Sequence, residues 1–291
     1  MSPVALITGT SSGIGLSSAI AAAKHGFVAV ATLRDPGKDV ALRAAAEGAG
    51  VTLDIRQLDV VDENSIKACI DGVVADHGTL DVLVNNAGRG FVGTIEQVSM
   101  AEMRAVMEVN FFGVVATTKA ALPHLRASRG RVITVTSVGG VVGQPFNEAY
   151  CAAKFAVEGF MESLAPVAAT VGVHVSVIEP GPVSTEFINN VGVDVAKMFD
   201  EGGDYAPAMR AYIAHIMTEF ANPDAAQTSD DVAATVLSAM VTDSAAFRHQ
   251  TSHWAKTFAG FKLSDHDGSA VVGMTSDWVK YPRQELVPEP E

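Results

Sequence analysis

Short apolar runs alternate with longer segments of helical period along most of this chain. The runs are almost continuously apolar, which is typical of parallel strands buried on both faces of a sheet. The pattern predicts strands at 4–7, 28–32, 52–58, 82–84, 131–136 and 174–178, with helices at 13–25, 38–48, 62–77, 99–127 and 148–171. A weaker strand is predicted at 245–250. Strands that alternate with helices predict an α/β fold built on a doubly wound parallel sheet.

The segment 185–228 interrupts this alternation with a Gly-Gly pair followed by a further helical pattern. Its apolar side chains share one face at helical spacing: Met209, Tyr212, Ile213, Ile216, Met217 and Phe220. One interpretation is an ordinary core stripe. The other is a substrate lid, because a segment that follows the sixth strand lies at the carboxyl edge of the sheet, where open α/β folds bind ligands. We predict one catalytic domain over 1–285 and a fraying acidic tail at 286–291.

Charge and cysteine content exclude several classes of protein. Twenty Lys and Arg against 33 Asp and Glu give a net charge of −13, which disfavours nucleic acid and anionic membrane surfaces as partners. The two cysteines, Cys69 and Cys151, form no paired or metal-ligand spacing, so we expect no metal site and a reducing compartment. Residues 1–7 show no signal-peptide pattern, and uninterrupted apolar runs stay short of membrane-spanning length. A cytoplasmic location is expected.

A glycine-rich turn follows the first predicted strand directly, in the segment Thr8-Gly9-Thr10-Ser11-Ser12-Gly13-Ile14-Gly15. Glycines allow a sharp turn and a close approach of bare backbone to a pyrophosphate, which the positive N-terminus of the next helix then stabilises. A tight strand-to-helix turn of any other purpose can use the same residues. The position after the first strand favours a Rossmann-type dinucleotide site.

The end of the second strand is where such a fold selects between NAD and NADP. Arg34 can pair with a 2′-phosphate and so select NADP, whereas Asp35 can accept from ribose hydroxyls and select NAD. We favour NADP, since Arg34 comes first and Pro36 indicates that Asp35 turns away. A solvated strand end is the alternative for both residues.

Two further strand ends are candidates to contact the adenosine. Asp59 follows the third strand and is placed to accept from the adenine amino group, although a turn carboxylate would look the same. Asn86, Ala87 and Gly88 follow the fourth strand, and their small size permits a close approach to the ribose. A plain polar turn is the alternative for these three residues.

Tyr150 and Lys154 lie four residues apart at the start of a predicted helix, so they share one face. Ser137 lies thirteen residues upstream where the fifth strand ends, and Asn110 lies within the preceding helical segment. Together with the glycine turn, the Asn-Asn-Ala-Gly segment and the segment 180–185, these residues resemble the short-chain dehydrogenase/reductase family. The resemblance extends over residues 3 to about 190.

The resemblance implies a hydride transfer between a nicotinamide cofactor and an alcohol or carbonyl group. Tyr150 would exchange a proton with the substrate oxygen, Ser137 would hydrogen-bond that oxygen, Lys154 would support both the phenol and the ribose, and Asn110 would support a water chain. The cofactor residues implied are Gly9, Ser11, Ser12, Gly13, Ile14, Gly15, Arg34, Asp59, Val60, Asn86, Ala87, Gly88, Tyr150, Lys154, Pro180, Gly181, Val183 and Thr185.

Within the family, several segments are similar to the estradiol 17β-dehydrogenase and retinol dehydrogenase branch: 31–35, 137–141, 143–147 and 155–159. In that branch an arginine at the position of Arg34 reads NADP. The branch implies a bulky apolar substrate, a steroid in our interpretation, with His215 and Asp277 near its distal hydroxyl. A helix-edge histidine and a solvated acid are the plain alternatives.

Three functions remain open from the sequence. We favour an NADP-dependent oxidoreductase for a 17β-hydroxysteroid or 17-ketosteroid. The second is an NAD-dependent dehydrogenase of retinol or another lipid alcohol. The third is an NADP-sensing regulator without activity, which the presence of all four catalytic positions disfavours. The resemblance also implies a homodimer or homotetramer.

Overall fold

Seven parallel strands form the centre of the molecule, in the order β3-β2-β1-β4-β5-β6-β7. The structure is a computed structural model that describes residues 2–183, 202–222, 224–243 and 245–260, with single positions 262, 264, 266, 267 and 269. The strands are β1 (Val4–Thr8), β2 (Val28–Leu33), β3 (Asp54–Gln57), β4 (Val82–Asn85), β5 (Arg131–Val135), β6 (His174–Glu179) and β7 (Arg248–Gln250). The predicted doubly wound, Rossmann-type fold in a single domain is confirmed.

Helices cover both faces of this sheet. They are α1 (Gly13–Lys24), α2 (Val40–Ala49), α3 (Glu63–His77), α4 (Met100–Met107), α5 (Gly113–Ser128), α6 (Glu148–Ala169), α7 (Ala206–Ala221), α8 (Ser229–Val241) and α9 (His253–Gly260). One face buries apolar side chains of α3, α5 and α6, and the other buries those of α1, α2 and α8. The sheet is therefore covered on both sides, which accounts for the largely apolar strands at its centre, whereas the edge strands β3 and β7 are polar and only partly buried.

The sequence prediction for 99–127 differs from the structure, because this helix is interrupted. A π turn (Glu108–Phe112) separates α4 from α5. The capping box of Ser99 and Glu102 starts α4, in which each side chain bonds the backbone N–H of the other. The N-terminal cap of α3 is Asp62, as expected, because its carboxylate accepts from Asn64 N at 2.9 Å.

The combined stretch Met100–Ser128 is long and apolar enough to cross a membrane by length and composition alone, the one such stretch in the described part of the chain. The sequence prediction overlooked it because it searched for uninterrupted apolar runs. Ala121 and Leu125 of this stretch are fully buried against the sheet. Only 39% of its most apolar window is buried, so packing against the sheet accounts for part of the apolar composition.

A glycine in the first turn of α1 permits the closest contact between that helix and the sheet. A Cβ atom added at Gly15 would lie 2.3 Å from Gly9 O and 2.4 Å from Asn86 Nδ2. Real Cβ atoms do not approach backbone so closely, so only glycine fits this position.

We expect Gly15→Ala to lower the free energy of unfolding by about 1–3 kcal/mol, because the added methyl group displaces backbone of two loops. Gly48→Ala in α2 is the matched control, since a Cβ there has nothing within 4 Å. That variant should gain about 0.5–1 kcal/mol from helix propensity. Urea unfolding followed by circular dichroism measures both, and equal effects of the two substitutions would contradict the packing argument.

Candidate active site

The loops that follow β1 and β4 meet at the carboxyl edge of the sheet, where the strand order reverses direction. Asn86 Nδ2 donates to Thr8 O at 2.9 Å and to Gly9 O at 3.0 Å. The Thr8 hydroxyl accepts from Asn86 N and Ala87 N, each at 3.0 Å, and donates to Val84 O at 3.4 Å. These bonds hold the two loops in one rigid unit at the crevice where α/β folds bind nucleotides.

The start of α1 is suited to an anionic group. Ser12, the N-cap residue, is extended and makes no side-chain bond to the first turn, and that turn carries no acidic residue. The first-turn N–H groups of Gly13, Ile14 and Gly15 have no partner within the helix and lie at its positive end. Gly9 and Gly13 adopt positive φ angles of 71° and 59° to form the turn, and Ser11 is half-buried within it. Unused donors at a bare helix end fit a pyrophosphate.

Arg34 and Asp35 follow β2 and are used differently by the fold. Asp35 Oδ1 accepts from Gly37 N at 3.0 Å and caps the short helical turn that begins at Pro36. The Arg34 side chain is exposed, and its backbone oxygen accepts from Gln57 Nε2 at 3.3 Å. The carboxylate of Asp35 is therefore engaged locally, while the guanidinium of Arg34 extends into solvent beside the crevice.

The adenosine candidates line the neighbouring part of this edge. Asp59 borders a surface cleft of about 580 Å³ at the end of β3, and its Oδ1 accepts from Val61 N at 3.1 Å. Val60 packs against the start of α5, since a Cβ at Gly113 would lie 2.9 Å from its side chain. The exposed Gly88 lies beside Asn110, whose Oδ1 would be 3.0 Å from an added Cβ.

The carboxyl end of β5 and the first turns of α6 bring together three residues of the predicted site: Ser137, Tyr150 and Lys154. Tyr150 and Ser137 are hydrogen-bonded through their side chains. Lys154 is buried, its Nζ lies 5.8 Å from the centre of the Tyr150 ring, and it donates to Val135 O at 2.9 Å. Ser137 Oγ also accepts from Gly139 N at 3.0 Å, which fixes the hydroxyl in the turn after β5.

Burial shifts the acid–base behaviour of both ionisable groups. It raises the pKa of the Tyr150 phenol to about 12, against the opposing effect of the Ser137 hydrogen bond. Burial also lowers the pKa of Lys154 to about 8, and the negative charge of Glu158 opposes that shift. The phenol is therefore protonated near neutral pH unless a cation is added beside it.

Asn110 lies in the π turn and is fully buried. Its Oδ1 accepts from Arg89 N at 2.9 Å, and its Nδ2 donates to Arg89 O at 2.8 Å. The side chain thus holds the loop after Gly88 in place. A π turn at such a position is typical of functional sites, because the skipped register re-aims backbone groups.

The segment after β6 is tied to the loop that carries Ser137. Val138 N donates to Pro180 O at 3.0 Å, and a Cβ at Gly181 would lie 3.0 Å from the Trp254 ring of α9. The buried Val183 pairs with Gln227 in an isolated bridge. Thr185 lies outside the described residues.

Helix α7 contacts the residues just before the N-terminus of α6, the helix that carries Tyr150 and Lys154. Tyr212 packs on Phe146 with ring centres 5.5 Å apart, and its hydroxyl accepts from Asn147 Nδ2 at 2.7 Å. Asn147 is the residue immediately before α6. This contact joins part of the predicted lid to the helix that carries Tyr150.

The predicted apolar face of α7 is only partly buried. Met209 is fully buried, but Met217 is 61% exposed, because eight residues rotate it about 80° from Met209 on a helix. His215 is exposed and lies about 120° from Met209. Asp277 lies outside the described residues, as does the whole segment 185–201.

Sequence reasoning missed Thr8 and gave Cys151 and Glu158 no role in catalysis. Cys151 is buried and its Sγ accepts from Gln144 N at 3.4 Å, which agrees with a packing role. Thr8 lies immediately before Gly9 at the end of β1, and this position could have indicated a role in fixing the glycine-rich turn. Glu158 could have been noticed as the next residue in the four-residue spacing of Tyr150 and Lys154.

The chain belongs to the short-chain dehydrogenase family, whose family model matches residues 3–196. It is an NAD(P)-dependent oxidoreductase, as predicted. Human retinol dehydrogenase 8 is 38% identical over 93% of this chain and 88% of its own length. Human 17-beta-hydroxysteroid dehydrogenase type 1 is 38% identical over 92% of this chain and 83% of its own length.

Solved structures agree with this assignment. A short-chain dehydrogenase from Streptomyces avermitilis superimposes with a TM-score of 0.74 at 29% identity, covering 97% of this chain and 99% of that one. A variant of the actinorhodin polyketide ketoreductase with NADPH gives a TM-score of 0.73 at 28% identity, covering 86% and 96%. The fold supports a nicotinamide cofactor.

We expect Thr8→Val to destabilise the protein by about 2–3 kcal/mol, because the two N–H groups of residues 86 and 87 lose their acceptor. Thr10→Val is the matched control: it is equally buried, but its hydroxyl donates only to Thr32 O, which Thr10 N already bonds. Its cost should stay below about 1 kcal/mol. Thermal and urea unfolding measure both, and a Thr10→Val loss as large as that of Thr8→Val would refute the assignment.

Proposed function

We propose that this protein is an NADP-dependent oxidoreductase that interconverts a secondary alcohol and a ketone on a bulky apolar substrate, a 17β-hydroxysteroid or 17-ketosteroid. The observation that carries the chemistry is the hydrogen-bonded pair of Tyr150 and Ser137, with Lys154 Nζ 5.8 Å from the phenol ring. This arrangement lies at the same carboxyl edge of the sheet as the bare N-terminus of α1.

Tyr150 transfers the proton in this mechanism. A phenol whose pKa is about 12 is a poor base, so it needs a neighbouring cation to release its proton to the bulk near neutral pH. The Lys154 ammonium on the same helix face and the positive charge of a bound oxidised nicotinamide would supply this charge together. In the oxidation direction Tyr150 takes the hydroxyl proton of the substrate, and in the reduction direction it donates a proton to the carbonyl oxygen.

Ser137 and Asn110 have supporting roles. The Ser137 hydroxyl, fixed by Gly139 N, hydrogen-bonds the substrate oxygen and stabilises the charge that develops on it. Asn110 keeps the loop after Gly88 in place through its two side-chain bonds to Arg89 and would support a water chain behind Lys154. A bound nicotinamide supplies or accepts the hydride.

Residues that follow five strands, together with two residues of α6, would hold that cofactor. We assign the pyrophosphate to the glycine turn with Ser11, Ser12 and Ile14, and the adenosine to Asp59, Val60, Asn86, Ala87 and Gly88. We assign the nicotinamide ribose to Tyr150 and Lys154, and the carboxamide to Pro180, Gly181, Val183 and Thr185. NADP is favoured over NAD because Asp35 is engaged with Gly37 N while the Arg34 side chain is exposed.

The steroid assignment is supported by the named relatives and by the apolar side chains of α7. Retinol is the alternative substrate, because retinol dehydrogenase 8 is as similar as the hydroxysteroid dehydrogenase. In the steroid complex we place His215 and Asp277 near a distal oxygen. We also propose that the protein is cytoplasmic and forms a homodimer or homotetramer.

Activity assays on hydroxysteroids, ketosteroids and retinoids, each with NADPH/NADP and NADH/NAD, test the substrate and cofactor together. The proposal predicts the highest kcat/KM for a steroid with NADP(H). Highest activity on retinoids with NAD(H) would support the alternative, and cofactor binding without turnover would support a regulator.

Tyr150→Phe should lower kcat by about 10²-fold or more, because the variant lacks the only phenol oxygen that can exchange the proton. NADPH fluorescence titration of the same variant should still show cofactor binding, weakened by no more than about tenfold through the loss of one hydrogen bond to the ribose. Turnover close to that of the wild type would remove Tyr150 from the mechanism.

Arg34→Ala should weaken NADPH binding by about 1.5–3 kcal/mol, the value of one charge-assisted hydrogen bond, and leave NADH binding nearly unchanged. Arg43→Ala is the matched control, because Arg43 is an exposed arginine paired with Asp39 on α2. An equal loss for both cofactors, or a wild-type preference for NADH, would transfer the assignment to Asp35.

A further inference from the structure

Three glutamates surround one arginine behind the catalytic helix. Arg248 of β7 lies with its guanidinium nitrogens 3.6 Å from Glu158 and 3.6 Å from Glu179, and it hydrogen-bonds Glu162. The side chains of Glu158, Glu179 and Arg248 are 6%, 0% and 9% exposed. Gln250 Nε2 donates to Glu179 at 2.7 Å. The group therefore joins α6, β6 and β7 through buried charge.

The charges in this group do not balance when every carboxyl group is ionised. One guanidinium facing three carboxylates leaves a net charge of −2 in a buried place, which is costly. Burial and the charge of Glu179 raise the pKa of Glu158 to about 8, while Arg248 opposes that shift. Burial also raises the pKa of Glu179, against its hydrogen bond from Gln250. Both buried carboxyl groups therefore keep a proton to higher pH than an exposed glutamate does, Glu158 to about pH 8.

Among these four residues, Glu158 is the one nearest in sequence to Tyr150 and Lys154. It follows Tyr150 and Lys154 at four-residue spacing, so the three side chains lie on one face of α6. A Cβ at Gly140 would lie 3.0 Å from Glu158 Cγ and 3.1 Å from Lys154 O. The stem of Glu158 therefore packs against the turn that begins at Ser137.

We propose that Glu158 is a positioning residue that keeps Lys154 a cation, and that Arg248 holds the carboxyl group in place for this purpose. The inference rests on the function proposed above, in which the Lys154 ammonium supports the phenol and the cofactor ribose. The buried Lys154 needs such a partner, because desolvation alone favours loss of its proton.

Glu158 loses its proton in the pH range in which Lys154 needs a negatively charged partner. Its charge raises the pKa of Lys154, and Glu158 becomes an anion in the pH range in which Lys154 would otherwise lose its proton. The groups that face Glu158 are Lys154 and Glu162 on α6, Glu179 on β6 and Arg248 on β7. Rising pH therefore creates the anion that stabilises the ammonium.

The test compares Glu158→Gln with the matched control Glu162→Gln, which removes a carboxylate from the same arginine and the same helix. NADPH affinity by fluorescence and kcat for alcohol oxidation are each measured from pH 6 to 10. We expect Glu158→Gln to move the alkaline loss of both quantities about one unit to lower pH, since Lys154 then loses its proton earlier. Glu162→Gln should not move it down, and Glu158→Asp should restore most of the wild-type profile.

Profiles of Glu158→Gln that superimpose on the wild type, or an equal downward shift in Glu162→Gln, would overturn the inference. If Glu158→Gln does not fold, Arg248→Gln is measured instead. Without the guanidinium Glu158 retains its proton to higher pH, so the same downward shift is expected, and its absence overturns the inference. A failure here with inactive Tyr150→Phe would leave the proposed function standing, whereas active Tyr150→Phe would reject that function itself.

Discussion

The close approach of the loops after β1 and β4 is the constraint on which the rest of the site depends. Asn86 and Thr8 bond backbone across this gap, and Gly15 brings α1 against it with no room for a side chain. The crevice can therefore present bare backbone to an anion. Larger side chains here would separate the two loops and move the start of α1 away from the sheet.

The catalytic residues of α6 depend on charge and not on a close approach of backbone. Tyr150, Lys154 and Glu158 lie on one face of this helix. Lys154 Nζ lies 5.8 Å from the centre of the Tyr150 ring. Burial lowers the pKa of Lys154, and the charge of Glu158 opposes part of that shift. Strand β5 provides the fixed partners, because Val135 O accepts from Lys154 and the Ser137 turn follows the strand directly. The acid–base properties of the site are thus distributed over two turns of α6 and the strands beneath it.

Local sequence signals predicted the strands, most helices, the Asp62 cap and the shared helix face of Tyr150 and Lys154, whereas the family resemblance added Ser137 to them. They succeeded because buried parallel strands are uniformly apolar and because helical spacing fixes which side chains share a face. The π turn at Asn110 was missed, since no residue type marks a skipped hydrogen-bond register. The ion pair of Arg248 with Glu162 was missed as well, because its partners are 86 residues apart and only the sheet order brings them together.

The same limits apply to the predicted apolar face of α7. Apolar periodicity placed six residues of α7 on one face, but a helix at the surface of a domain buries only part of such a face. Met209 is enclosed while Met217 is open to solvent. The sequence pattern predicted a helix with one apolar face. How much of that face is buried depends on the elements packed against α7, which the pattern does not encode.

The contact between Asn147 and Tyr212 has a consequence for how such an enzyme can diversify. It joins α7 to the residue before α6, outside the hydrogen bonds that fix Ser137 and Lys154 on β5 and its turn. Substitutions along α7 can thus remodel the surface offered to a substrate while the proton-transfer groups keep their places. Evolution can therefore alter which molecule is accepted without rebuilding the chemistry.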